Sequence, residues 1–118
     1  MPDIVAESLF GALSNLIRLR CVVLLQQEGE LCVCELTHAL EAAQPAVSRH
    51  LALLREAGVV SDRREGLWIH YRVNPQLPNW ARAVIRDAAK GLADRSTFNR
   101  DRKRVHSMPD RPRGRLCA

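Results

Sequence analysis

Aromatic residues are scarce in this chain, with two Trp, two Phe and one Tyr among 118 residues. A core must therefore be built from Leu, Val and Ala, which points to helices packed through aliphatic side chains. No apolar run approaches the roughly 20 residues of a membrane span. The N-terminus has no basic stretch leading into an apolar segment, so neither secretion nor membrane insertion is expected and a cytoplasmic location is. Four cysteines in such a compartment read as thiols, ligands or redox sensors rather than structural disulfides. There is no Gly-rich phosphate loop and no defensible nucleophile–base pair, which argues against an enzyme. The length suits one domain.

Acidic charge is nearly absent from the C-terminal end. Residues 1–94 carry ten basic and eleven acidic residues, a net of −1, whereas residues 95–118 carry eight basic against Asp101 and Asp110, a net of +6. The overall charge of +5 is thus a property of the end of the chain and does not by itself mark the rest as nucleic-acid binding. With little apolar content and with Pro109, Pro112 and Gly114, residues 95–118 are expected to form a basic, disordered tail beside a folded unit of residues 1–94.

Within that unit the apolar residues recur at helical spacing. Ile4, Val5, Leu9, Phe10 and Leu13 predict a first helix ending near Ser14, and Ile17, Cys21, Leu24 and Leu25 predict a second over about 15–27, stopped by Gly29. Val33, Leu36 and Leu40 form the stripe of a short third helix. After the turn at Glu41–Ala43, Pro45 opens a fourth helix whose inward face is Val47, Leu51 and Leu54 and which ends at Gly58. The period then changes to two, giving strands over 59–64 and 67–73 joined at Glu65–Gly66. A last helix over 78–93 aligns Leu77, Trp80, Ala81, Val84, Ala88 and Leu92 on one face. This order predicts a mainly α fold with a β-hairpin wing, a winged helix-turn-helix. Its outer helices expose apolar stripes that suit a homodimer.

In such a fold the non-core positions at the start of the fourth helix read base edges, here Gln44, Ala46, Ser48 and Arg49. His50 supports the fold or touches phosphate, and Arg63, Arg64, His70 and Arg72 on the hairpin suit phosphate or minor-groove contacts.

Cys32 and Cys34 stand directly before this unit's recognition helix. Paired thiolates favour soft, thiophilic ions, As(III), Sb(III), Cd(II) and Pb(II), over Mg(II) or Ca(II). Residues two apart on a regular helix point about 200° apart, so the pair cannot share an ion on an intact helix. Either Cys32 lies before the helix or binding unwinds its first turn. Cys21, on an apolar helical face, reads as core and less readily as a ligand. Cys117 reads as an exposed thiol, although about 22 flexible residues have a reach near 25 Å and could deliver a third sulfur.

Several motifs in order resemble the ArsR/SmtB repressors across roughly residues 8–90. Ala12-Leu13-Ser14-Asn15-Leu16-Ile17-Arg18-Leu19 resembles their N-terminal signature, Leu31-Cys32-Val33-Cys34-Glu35-Leu36 their metal-binding box, and Gln44 to Gly58 with Gly66 to Arg72 their recognition helix and wing. The likeness is greatest to arsenite-responsive arsenic-operon repressors. It implies a dimeric repressor that binds an inverted-repeat DNA operator and releases it when As(III) or Sb(III) binds. Two departures stand out: Thr37 occupies the place of a third cysteine, and the chain from about Arg95 matches no family pattern. Zinc sensors of the family place His on the last helix, and residues 78–93 contain none. Its cadmium sensors add N-terminal cysteines, absent from residues 1–20. A Cd/Pb or thiol-redox repressor is the nearest alternative; a metal carrier without DNA is a more distant one.

Overall fold

The computed structural model describes residues 4, 6–109 and 111. Six helices and three strands follow one another as α1 (Ala6–Leu13), α2 (Leu16–Glu28), β1 (Glu30–Cys32), α3 (Val33–Leu40), α4 (Gln44–Glu56), β2 (Val60–Glu65), β3 (Trp68–Val73), α5 (Asn79–Leu92) and α6 (Ser96–His106). This is a winged helix-turn-helix, with α3 and α4 as the helical pair and β2–β3 as the wing. Among the described residues no single helix is long and apolar enough to cross a membrane.

Local chemistry sets the boundaries. Asn15 caps α2 by accepting the Arg18 N–H at 3.2 Å, and Gly29 ends it at φ 93°, a conformation that favours glycine. Glu41 closes α3 in the left-handed region at φ 51°. Pro45 falls at the second position of α4, where its missing N–H costs no helical hydrogen bond. Leu24, Leu25, Leu36, Val47, Leu51, Leu54 and Ile85 are all buried in one core, which seats α4 on α2 and α3 by its inward stripe.

Two elements differ from the sequence expectation. The first is β1, a three-residue strand pairing antiparallel with β3 in a sheet of order β1-β3-β2. Its Cα partners are Glu30 with Arg72, Leu31 with Tyr71 and Cys32 with His70. Three residues show no periodicity, and their partners lie some forty positions away.

The second is α6, which corrects the expectation of a disordered tail from residue 95. Ser96–His106 is helical and buries Phe98, Asp101 and Val105. The stripe escapes an apolar pattern search because its middle member is a carboxylate. Asp101 accepts from Arg20 through Nε (2.9 Å) and Nη2 (2.7 Å), and from Arg104 Nη2 at 3.0 Å. The two guanidinium groups also cap α3: Arg20 donates to the Leu40 carbonyl at 3.2 Å and Arg104 to that of Ala39 at 2.6 Å.

The seam of α5 and the residues before it buries Leu77 and Ala81 as expected, with Val84 and Leu92 packed at its margin, but its centre is Ile85 and Ala89 and not Trp80 and Ala88. Trp80 is 41% exposed, and Phe10 and Leu16 are likewise exposed.

Replacing Asp101 by Ala removes the carboxylate shared by two guanidinium groups, leaving Arg20 only its bond to the Leu40 carbonyl and Arg104 its contacts with Ala39 and Glu41. A loss of about 3 kcal/mol is expected, as for other broken buried pairs, read as a lower urea midpoint with α6 protected less from hydrogen exchange.

Candidate thiol site and nucleic-acid interface

Cys32 is the last residue of β1 and the N-cap of α3, with extended backbone at φ −86° and ψ 166°, while Cys34 is the second residue of the helix. Of the two geometries open from sequence, the structure takes the one with Cys32 ahead of the helix. The change of direction at the cap turns both side chains to one side, and the Sγ atoms lie 2.6 Å apart without a disulfide between them. Cys32 is fully buried and Cys34 half-buried. Both sulfurs can reach a single soft ion with bonds near 2.3 Å.

Glu35 fixes this corner. Its Oε1 accepts the Cys32 N–H at 3.0 Å, and its Oε2 accepts from Arg111 Nε at 2.7 Å. Both side chains of this ion pair are largely buried. Sequence reasoning missed Glu35, though the spacing carried a signal: a Glu three residues after a helix N-cap is the capping-box arrangement, disguised here because the cap is Cys rather than Ser or Thr.

Thr37 stands one turn beyond Cys34, and its buried Oγ1 has no hydrogen-bond partner among the described residues. Among those residues no group of three His, Cys, Asp or Glu side chains gathers as an ion site. Cys21 is fully buried in the α2 core, where burial pushes its thiol up to about 12, so it stays protonated at neutral pH. Cys117 lies outside the described residues.

On α4, Gln44 and Arg49 are exposed and Ala46 and Ser48 half-buried; Arg49 lies opposite the Val47, Leu51 and Leu54 stripe, whereas Gln44 is exposed because it opens the helix. His50 differs from them. Its Nδ1 accepts from Arg18 Nη1 at 3.2 Å, and the same Arg18 donates to the Ala12 carbonyl at 2.8 Å and the Gly11 carbonyl at 3.4 Å. The imidazole therefore ties the recognition helix to the end of α1. Desolvation first, and the nearby Arg18 and Arg49 charges second, hold its pKa below the ordinary value.

The wing residues also separate. Arg64 and Arg72 are exposed. Arg63 instead donates from Nε to both Glu30 oxygens (3.1 and 3.0 Å), from Nη2 to Glu30 Oε1 (2.7 Å) and from Nη1 to Glu65 (3.3 Å). That hydrogen bonding keeps the Glu30 carboxyl below its usual range. His70 is mostly buried between Cys32 and Arg63 in the sheet register, and its Nε2 has no hydrogen-bond partner among the described residues.

Comparison with known proteins agrees with this geometry. The model of the family described as bacterial regulatory protein, arsR family, matches residues 16–62, from α2 into β2. The chain is 46% identical over 112 residues to the arsenic resistance transcriptional regulator ArsR1 of Pseudomonas putida, covering 92% of this chain and 84% of that one. It is 52% identical over 88 residues to the arsenical resistance operon repressor of Escherichia coli, covering 75% of each. Among solved structures, HlyU from Vibrio cholerae superposes with a TM-score of 0.61 at 32% identity, over 75% of this chain and 87% of that one. The transcriptional repressor BigR from Xylella fastidiosa gives 0.59, also at 32% identity, over 73% and 80%.

The depressed pKa of His50 has a stability consequence. Below the unfolded value of 6.5 the unfolded chain binds this proton more readily than the native one. The contribution of His50 is therefore complete above that pH and lost as pH falls through the native pKa. In urea unfolding at about pH 7.5 and about pH 5.5, His50→Gln should show a smaller drop in midpoint between the two than the unsubstituted protein.

Proposed function

Because the chain belongs to the arsR family of bacterial regulatory proteins, we propose that it is a transcriptional repressor whose operator affinity falls when As(III) or Sb(III) is bound by Cys32 and Cys34. The observation that carries this reading is the convergence of the two sulfurs, 2.6 Å apart, at the start of the helix that precedes α4. An ion taken up there acts on the support of the recognition helix directly. Each thiol displaces one hydroxide of arsenous acid, and its proton leaves in the water formed. The protein is a regulator and not an enzyme.

The exposed Gln44 and Arg49, with Ala46 and Ser48, are assigned to base edges, where Gln suits adenine and Arg suits guanine. Arg64 and Arg72 are assigned to the phosphate backbone. The uncovered Phe10, Leu16 and Trp80 support a homodimer that places two α4 helices on an inverted repeat in cytoplasmic DNA.

Two thiolates leave As(III) one sulfur short of three. Thr37 offers a hydroxyl, a poor donor for a soft ion. Arg111 is held against Glu35, beside the pair, and Cys117 follows six positions later, within a maximum span of about 20 Å. Cys117 is accordingly assigned as the third sulfur for inorganic As(III).

Operator release followed by fluorescence anisotropy tests these assignments. Cys32→Ser and Cys34→Ser should still bind the operator but lose release by both arsenite and phenylarsine oxide. Cys117→Ser should weaken the arsenite response alone, because the phenyl carbon already fills the third bond of the organic arsenical. Full release in the double variant Cys32→Ser/Cys34→Ser would remove the sensing site from this pair.

The DNA assignments make a separable prediction. Arg49→Ala should cost about 1–3 kcal/mol on the operator and narrow the gap to scrambled DNA. Arg64→Ala should weaken both sequences alike and lower the salt slope by about 1. Equal losses on both sequences for Arg49→Ala would take Arg49 out of base reading.

A further inference from the structure

The thiol pair touches the wing as well as the helix-turn-helix, and we propose that Glu30, acting through Arg63, is a positioning residue that carries the inducer signal across the sheet to the wing. The inference rests on the reading above that inducer at Cys32 and Cys34 lowers DNA affinity.

Glu30 and Cys32 are two residues apart on β1, so their side chains leave the same face of the sheet. The register places Arg72 and His70 of β3, then Ser61 and Arg63 of β2, on that face. Arg63 reaches diagonally back over β3 to both carboxylate oxygens of Glu30. The outer strand of the wing is thereby fastened to the short strand that ends in Cys32, in addition to the backbone ladder through β3.

An ion held by both sulfurs, with bonds near 2.3 Å, fixes Cys32 and Cys34 about one atom and so loads the residue that ends β1 and caps α3. The resulting movement falls either on the first turn of α3 or on β1. The α3 side is held by the buried Glu35–Arg111 pair, whose side chains are 6% and 13% exposed. On the other side stands a three-residue edge strand paired along one side only. Glu35 also accepts the Cys32 N–H, so Cys32 is anchored with α3, and the rest of β1, an edge strand that shifts at less cost than a buried ion pair, turns about it. Glu30 moves with the strand and pulls Arg63, and the hairpin that carries Arg64 and Arg72 is re-aimed.

The test uses the full chain with phenylarsine oxide as ligand and compares three quantities: arsenical binding, the ratio of operator Kd with and without arsenical, and hydrogen exchange of residues 60–73. In the unsubstituted protein the arsenical should raise Kd and speed exchange over 60–73. Glu30→Gln keeps the size of the side chain and removes its charge. It should still bind the arsenical stoichiometrically, lose most of the exchange response, and reduce the Kd ratio about fivefold, the scale of a good exposed pair. Arg63→Ala should reduce the ratio similarly. Adding Glu30→Gln to Arg63→Ala should change it no further, since the two act as one link. Using the ratio cancels any direct contact of Arg63 with DNA.

A Glu30→Gln ratio within about twofold of the unsubstituted protein, additive losses in the double variant, or loss of arsenical binding would each overturn the inference while leaving the repressor reading in place. Absence of operator release in the unsubstituted protein would overturn both.

Discussion

The carboxylate of Asp101 sits between the guanidinium groups of Arg20 and Arg104, almost wholly removed from solvent. Burying three charges gains little net stability, because desolvation offsets most of the attraction. Its effect is on arrangement. The same guanidinium groups satisfy the last carbonyls of α3, so α2, α3 and α6 are set relative to one another by directional bonds rather than by apolar contact alone. Arg104 meets the end of α3 and Arg111 meets its start, so the C-terminal part of the chain runs antiparallel along the whole helix. The helix that begins at the thiol pair is therefore gripped at both ends. An ion drawn into that pair, as proposed above, would work against a fixed support.

Cys32 lies where two different kinds of element meet. Its backbone completes the pairing of β1 with β3 and also caps α3, with the N–H held by Glu35. One residue is thus shared by the sheet that carries the wing and the helix that supports α4. A ligand atom on that shared residue would act on both elements at once, on the helix through the cap and on the wing through β1 and its Glu30–Arg63 pair.

Much of this was legible in the chain. Val47, Leu51 and Leu54 at helical spacing, followed by a switch to period two, identify the DNA-reading unit, and Cys32 and Cys34 identify the thiol site. The geometric dilemma of two residues two apart on a helix also had its resolution in view, since Cys32 proved to be the cap. What stayed hidden depends on distant partners. β1 is too short to show a pattern and exists because His70 and its neighbours are there to pair with it. α6 hides its buried stripe behind Asp101, whose counter-charge Arg20 lies 81 positions away. Arg63 looks like any other wing arginine until Glu30, 33 positions earlier, is brought against it. On α5 both Trp80 and Ala81 satisfy the helical period, and only docking against the core decides that Ala81 goes inside.

The division of labour along α4 has a consequence for how such a protein changes over generations. Val47, Leu51 and Leu54 seat the helix, and His50 is committed to Arg18. Gln44 and Arg49 are exposed and carry no such duty. Substitutions there leave the buried stripe and the thiol pair in place, so under the proposed assignments recognition of DNA can drift while sensing is conserved. On that proposal, a duplicated copy of the gene could acquire a new set of targets by a few changes at the start of α4, answering the same chemical signal from the outset.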